Sequence, residues 1–312
     1  KQFVEDMSQD SSGAYMFIGR GHAWTDDAVP PTPVDSPNDE FDAYRSMVAL
    51  KKVATTDISH AIVRRDWTSG TQYDEYRHNY ASGNTGSSAG SPTTLWDSLF
   101  YVVTDDYNVY KCLSNGTADH TAANTSTVKP DHTTLTIPTS SADQYQWKYM
   151  YSITASDVIK FVTNDFIPIK TLGAQLAVAG SLGALAAAAS DDGSAQWDVE
   201  NGAVNGALDK ARIVTGGSGY NNATTTGIAI RGDGSSGVCT VTTASGGVTV
   251  VSVTTAGSGY TYAFVANEDI PGYDNANQPA DGTNASANIE FIITPKNGHG
   301  ADPIEELGGN YI

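Results

Sequence analysis

Hydrophobic and polar positions alternate most clearly between Trp96 and Ile169. LWDSLFYVVTDDYNVYKCLSN opens the stretch. A polar loop ending in STVKP follows, and QWKYMYSITASDVIKFVTNDFIPI closes it. Alternation with β-branched and aromatic residues predicts strands at FYVVT and NVYKCL, joined as a hairpin across Asp105-Asp106-Tyr107. Gln146–Ile153 reads as a further strand, Ser156 or Asp157 as the cap of a short helix to Val162, and Phe166–Ile169 as a closing strand. Upstream, AYMFIG and HAIVRRDW read as strands. Between them Phe41, Tyr44, Val48 and Lys52 fall at helical spacing, with acidic residues before them and Lys51 and Lys52 at the end, so a helix is expected over 39–53. Tyr73, Tyr76 and Tyr80 then precede a flexible loop at 81–92. Pro30, Pro31, Pro33 and Pro37 exclude regular helix there and favour an extended arm.

The second half carries a repeat. Ile213-Val214-Thr215-Gly216-Gly217-Ser218-Gly219-Tyr220 returns as Val253-Thr254-Thr255-Ala256-Gly257-Ser258-Gly259-Tyr260. Each copy is a strand running into a glycine turn ended by tyrosine, and further strands with glycine turns lie between. Two copies suit a small β-sandwich or barrel-like module rather than a solenoid.

Composition supports the same picture. The chain has 312 residues, 31 of them Gly, and only 17% are charged. The expected fold is mainly β with a few short helices, built as several domains with β-sandwich-like modules and Gly-turn hairpins. The expected domains are a mixed β domain over 1–171, an Ala/Gly-rich connection or insertion over 172–192, and a C-terminal β domain over 193–312 whose tail is free to pack back on the first. A net charge of −18 argues against nucleic-acid binding and against anionic membrane surfaces. Leu172–Ser190 is uncharged but rich in Ala, Gly and Ser, which insert poorly, so no membrane span is expected. No signal peptide is visible before Ala14. Cys112 and Cys239 are expected as buried free thiols.

Candidate chemistry is sparse. Gly232-Asp233-Gly234-Ser235-Ser236-Gly237 matches G-x-G-x-x-G, but Val238-Cys239-Thr240-Val241 after it reads as strand, so a hairpin turn is expected and not a pyrophosphate site. The embedded Arg231-Gly232-Asp233 is too short to carry weight. His22, His60, His78, His120, His132 and His299 show no zinc spacing. The Asp pairs at 26–27, 105–106 and 191–192 lack the alternation of a calcium loop. Gly217-Ser218-Gly219 is a repeat turn, not a nucleophile elbow. No catalytic, cofactor-binding or metal-binding residue is assigned, no cofactor is expected, and interface residues stay unassigned. Trp96, Phe100, Tyr101, Tyr107, Tyr110, Trp147, Tyr149 and Tyr151 line a docking or sugar-binding surface or, as the better reading for any single one, fill a sheet core.

The order W-D-S-L-F-Y-V-V, N-V-Y-K-C-L, S-T-V-K-P, Q-W-K-Y-M-Y-S-I and K-F-V-T-N-D-F-I-P-I resembles the baseplate wedge subunit of T4-type contractile-tailed phages, the gene-product-eight family. Arg64-Arg65-Asp66-Trp67, the G-S-G-Y turns and the ending PKNGHGADPIEELGG add to the resemblance, whereas Ala/Gly-rich 172–190 does not match it. The resemblance implies a non-enzymatic virion protein of the tail baseplate, assembled in the host cytoplasm. It further implies a homodimer that contacts other wedge proteins during assembly, host attachment and tail contraction. A carbohydrate-binding or glycan-cleaving tail protein is the alternative, requiring exposed aromatics beside carboxylates. A secreted adhesin built on the G-S-G-Y turns is a weaker third reading, against which the missing signal peptide and the two lone repeats count.

Overall fold

The computed structural model describes residues 15–19, 25–26, 28–29, 32, 36–81, 92–116, 124–138, 140, 142–174, 190–270, 273 and 286–312. Pro30, Pro31, Pro33, His22, His120, most of the 81–92 loop and most of Leu172–Ser190 lie outside these residues. The described chain is mostly strand, in several small sheets with a few short helices. It divides into two compact units, Lys1–His60 with Ile312, and Ala61–Tyr311.

In the first unit β1 (Tyr15–Gly19) pairs antiparallel with β2 (Met47–Lys52), and α1 (Pro37–Arg45) precedes β2. The Ser36 side chain caps α1 by accepting from Asp39 N, and Pro37 occupies the first turn, where its missing N–H costs nothing. The helix expected over 39–53 therefore stops at Arg45. Met47–Lys52 is a strand instead, with Leu50 opposite Phe17 and Ala49 opposite Ile18. A helical stripe is held by the core it buries against. Phe41, Tyr44 and Val48 all stay exposed, so nothing extended the helix and pairing with β1 took the residues.

The second unit begins at the second residue of β3 (His60–Val63), and β3 pairs with β7 (Phe166–Ile169). Its central sheet has the order β4-β5-β6, from Tyr101–Val103, Asn108–Asn115 and Tyr145–Ser152, all antiparallel. The expected hairpin is present, and Tyr107 turns it with φ +58°. This sheet is buried on both faces. Tyr110, Cys112, Tyr145, Trp147 and Tyr149 fill one side with Tyr73 and Val102. Val103, Val109, Leu113 and Met150 fill the other with Tyr76 and Ile167. The register slips where Val109 opposes Tyr151 but Tyr110 opposes Tyr149, and this bulge sends Tyr151 to the second face. α2 (Ala155–Phe161) is capped by Thr154, not by Ser156 or Asp157. The Thr154 hydroxyl accepts from Asp157 N and donates to its carboxylate at 2.8 Å. Asp157 thus sits three residues inside the cap, as the acidic partner of a capping pair.

After α3 (Ala195–Asn201), the repeat region builds a second core. β9 (Ala223–Ala229), β11 (Val238–Ala244) and β12 (Gly247–Thr255) form a sheet of order β12-β11-β9. β8 (Leu208–Thr215) pairs with β14 (Asn288–Ile293), and short β10 (Arg231–Gly232) pairs with β13 (Ala263–Phe264). The two repeats match in conformation. Gly217 and Gly219 have φ +68° and +89°, and Gly257 and Gly259 have +63° and +76°. Tyr220 and Tyr260 both turn inward into this core. The Tyr260 hydroxyl accepts from Gly237 N at 3.0 Å and donates to Ile230 O at 3.1 Å. Tyr220 accepts from Ala287 N at 2.9 Å. These tyrosines close their turns from within. The G-x-G-x-x-G segment is a turn between strands, as expected, and Tyr260 packs against it. Strand β14 serves both cores: Ile292 joins the first, while Ile289, Phe291 and Ile293 join the second. α4 (Pro303–Glu306) ends the chain's regular structure.

Two glycines separate backbone strain from crowding. Gly227, at a bulge in β9, has φ +76° and open space where a Cβ would stand. Gly257 has a similar φ, but a Cβ would lie 2.5 Å from Ser235 O and 2.6 Å from Gly237 N. Gly227→Ala is expected to cost about 1–2 kcal/mol for the left-handed backbone alone. Gly257→Ala adds a steric clash, for about 3 kcal/mol or more in total. Urea denaturation of the two variants checks this, and equal losses would contradict the packing described for the repeat turn.

Candidate functional site

Four features bear on function: the fate of the aromatic stretch, a buried charge cluster, an exposed apolar unit, and a groove in the repeat region.

Six of the eight aromatics singled out by sequence are buried: Phe100, Tyr101, Tyr110, Trp147, Tyr149 and Tyr151. Tyr145 stacks on Trp147 with centroids 5.5 Å apart, and Tyr73 meets Trp147 edge-on at 5.4 Å. Trp96 is 50% exposed and Tyr107 is at the hairpin tip. The stretch is core, not a recognition groove. Arg65 braces it, with its guanidinium 4.6 Å from the Tyr101 ring centre and a bond to Trp96 O at 2.9 Å. Asp143 anchors the STVKP loop by accepting from Thr127 N and Val128 N. Burial works against the Asp143 carboxylate, but these bonds and one from Ser140 hold its pKa below the usual range.

The central sheet holds two lysines on its otherwise apolar second face. Lys111 and Lys148 are neighbours across β5 and β6 and both are buried. An uncompensated ammonium there would carry a large desolvation cost. The C-terminal segment supplies the compensation. Lys111 Nζ lies 2.9 Å from Glu306 Oε2 and 2.8 Å from His299 Nδ1. It also sits 3.9 Å from the Tyr76 ring centre. His299 bonds onward through Nε2 to Asp209 on β8. Glu306 Oε1 accepts from Gly300 N at 2.7 Å and Asp302 N at 3.3 Å, so the carboxylate is held at both oxygens. Burial alone would raise the pKa of Glu306, but Lys111 and His299 outweigh it and hold the carboxyl at about 2. Burial lowers the pKa of Lys148; Glu306 and Asp209 oppose this, and Lys111 adds to it. Glu75 makes a second tie, bonded to Arg77 and to Lys210 of β8 at 2.6 Å. Glu200 of α3 makes a third, accepting from Leu172 N, Gly173 N and Ala174 N. All three carboxylates hold backbone or basic side chains in place, and none lines the groove between β13 and β14. The sequence reading missed them because their partners lie up to 195 residues away.

Cys112 and Cys239 are buried and free, as expected. The Arg231-Gly232-Asp233 turn is occupied internally. Asp233 accepts from the Thr261 hydroxyl at 2.5 Å, from Thr261 N at 2.8 Å and from Tyr262 N at 3.2 Å, which holds its pKa down at about 2, and Arg231 pairs with Asp269 at 2.7 Å. Among the described residues, no group of three or more His, Cys, Asp or Glu could hold a metal ion, and no helix is long and apolar enough to cross a membrane.

The first unit is the reverse of this interior. Every residue of β1 is exposed, and α1 buries none. Phe41 is 64% and Val48 69% exposed, and Tyr15, Met16, Ile18, Tyr44 and Leu50 are similar. The groove lies within the second unit. It encloses about 560 Å³ between β13 and β14, with Tyr262, Phe264, Arg212, Asn288, Glu290 and His78 on its walls.

Lys111→Met leaves Glu306 buried without its main partner and is expected to cost about 3–5 kcal/mol. The pH dependence follows from Glu306. Its folded pKa is depressed, so its stabilising contribution is complete above its ordinary value of 4.5 and is lost as pH falls towards about 2. Thermal midpoints measured across that window should fall for the wild type and fall less steeply for Glu306→Gln. Identical slopes would remove Glu306 from the acid response.

No curated protein matches the chain. A family model described as Bacteriophage T4, Gp8 matches residues 2–134, a stretch that includes the exposed unit and strands β4 and β5. The match supports a structural component of a phage tail baseplate. Over those residues the chain is similar to the gene-product-eight baseplate wedge family, the one its aromatic strand order resembles.

Proposed function

We propose that this chain is a non-enzymatic structural subunit of a phage baseplate wedge. It acts as a homodimer that contacts other wedge proteins during baseplate assembly and carries those contacts through host attachment and tail contraction. The observation that carries the reading is the first unit. A two-stranded ribbon is marginal in water on its own. Here both of its faces carry exposed large apolar side chains, Tyr15, Phe17 and Leu50 on one and Met16 and Ile18 on the other. Contiguous exposed apolar surface of this kind marks protein–protein contact. It lies inside the stretch that matches the baseplate family.

The rest of the architecture supports the same role. The carboxylates of Glu306, Glu200 and Asp143 are spent on holding the fold. The net charge of −18 keeps the free subunit soluble before assembly and favours basic faces on its partners.

Sedimentation of the purified chain, alone and mixed with wedge proteins, tests this. The expected result is a dimer that joins a wedge complex. Ile18→Asp with Val48→Asp should abolish joining while leaving the thermal unfolding of the second unit unchanged, since both side chains are exposed. A strictly monomeric chain that joins no wedge protein would overturn the reading.

A further inference from the structure

The alternative expectation of a sugar-binding groove looked for it among Trp96–Tyr151, and six of the eight rings singled out there are buried. The groove between β13 and β14 has what that stretch lacks. Tyr262 is 56% and Phe264 44% exposed. Phe264 ends β13 and Tyr262 lies in the bend just before it, and both residues line the groove. Two exposed rings in one groove offer apolar platforms.

Polar groups stand opposite. Glu290 on β14 lies 3.3 Å from Arg212 on β8 and accepts from Asn79. Asn288 brings an amide to the same wall. His78 Nδ1 accepts from Ile293 N at 3.2 Å, which leaves Nε2 as the donor of a neutral ring. Burial lowers the pKa of His78, in keeping with that neutral form. Among the described residues the groove therefore carries one cation, one anion and several neutral donors and acceptors. Its volume of about 560 Å³ lies within the range of small-ligand sites, about 300–1,000 Å³.

We propose that this groove binds a neutral oligosaccharide, with Tyr262 and Phe264 stacking on successive sugar rings and Arg212, Glu290, Asn288 and His78 bonding their hydroxyls. Sugars present an apolar ring face and an equatorial rim of hydroxyls, and the groove offers one surface for each. The balanced groove charge and the chain's −18 both select against an anionic glycan. Among the described residues one carboxylate, Glu290, lines the groove, and Arg212 pairs with it, whereas hydrolysis needs two carboxylates across the glycosidic bond, so the proposal is for binding. The inference is independent of the assembly reading, which rests on the first unit.

The test is a glycan array of neutral and acidic oligosaccharides probed with the full chain, followed by calorimetric titration of any neutral hit. Tyr262→Ala and Phe264→Ala should each weaken binding about tenfold, and Tyr262→Phe should retain it. Both rings are exposed, and circular dichroism confirms that the variants fold. Silence of the wild type across the array overturns the proposal, as does binding that survives the double variant or is confined to acidic glycans. Hydrogen-exchange protection of 261–264 and 288–291 by a wedge protein, with no glycan bound, would also overturn it and assign the groove to a protein.

Discussion

The second unit depends on one constraint: a lysine that cannot leave the core. Lys111 is in the middle strand of a sheet covered on both faces, flanked by Tyr110 and Cys112, which point the other way. Its ammonium has to be neutralised where it stands, and β5 and its neighbours supply no carboxylate to do so. Glu306 does it from the C-terminus, and His299 and Asp209 extend the bonds to β8. One charge thus ties the central sheet, the repeat region and the end of the chain together. β14 follows the same logic in apolar terms, giving Ile292 to one core and Phe291 to the other.

Within the first unit the balance is opposite. Its ribbon and helix are well formed locally, with a Ser36 cap and a paired register, yet they bury almost nothing. Local bonds specify their shape, and the wedge contact proposed above would supply the burial that the unit lacks.

Much of the strand pattern was legible from residues alone. The 101–115 hairpin, the strands at 145–152 and 166–169 and the paired G-S-G-Y turns all rest on short-range chemistry: alternation, β-branching, and glycines at positive φ. The helix expected over 39–53 failed at Ser46. The 3.6-residue pattern was real, but no core received it, and strand β1 offered backbone partners instead. The cap at Thr154 escaped by two residues because Ser156 and Asp157 have the same preference for helix starts, and only backbone direction selects among them. Tyr262 and Phe264 gave no signal, since β13 is only two residues long, Tyr262 lies in the bend before it, and the groove draws on positions 78, 212, 264 and 290.

By itself the amino-acid sequence determined the mainly β class, the strand-turn grammar, the buried thiols, the absence of a dinucleotide turn at 232–237 and the likeness to a baseplate family. These follow from local propensity and from the order of motifs. Tertiary structure alone decided which face each aromatic occupies, because a single bulge opposite Val109 and Tyr110 moves Tyr151 across the sheet. It also decided that Lys111 meets Glu306, that the Arg231-Gly232-Asp233 turn is closed by Thr261, and that Tyr262 and Phe264 are exposed while six of the eight rings singled out between Trp96 and Tyr151 are buried. Such pairings depend on where distant segments meet, and burial energy summed over the whole core sets that position.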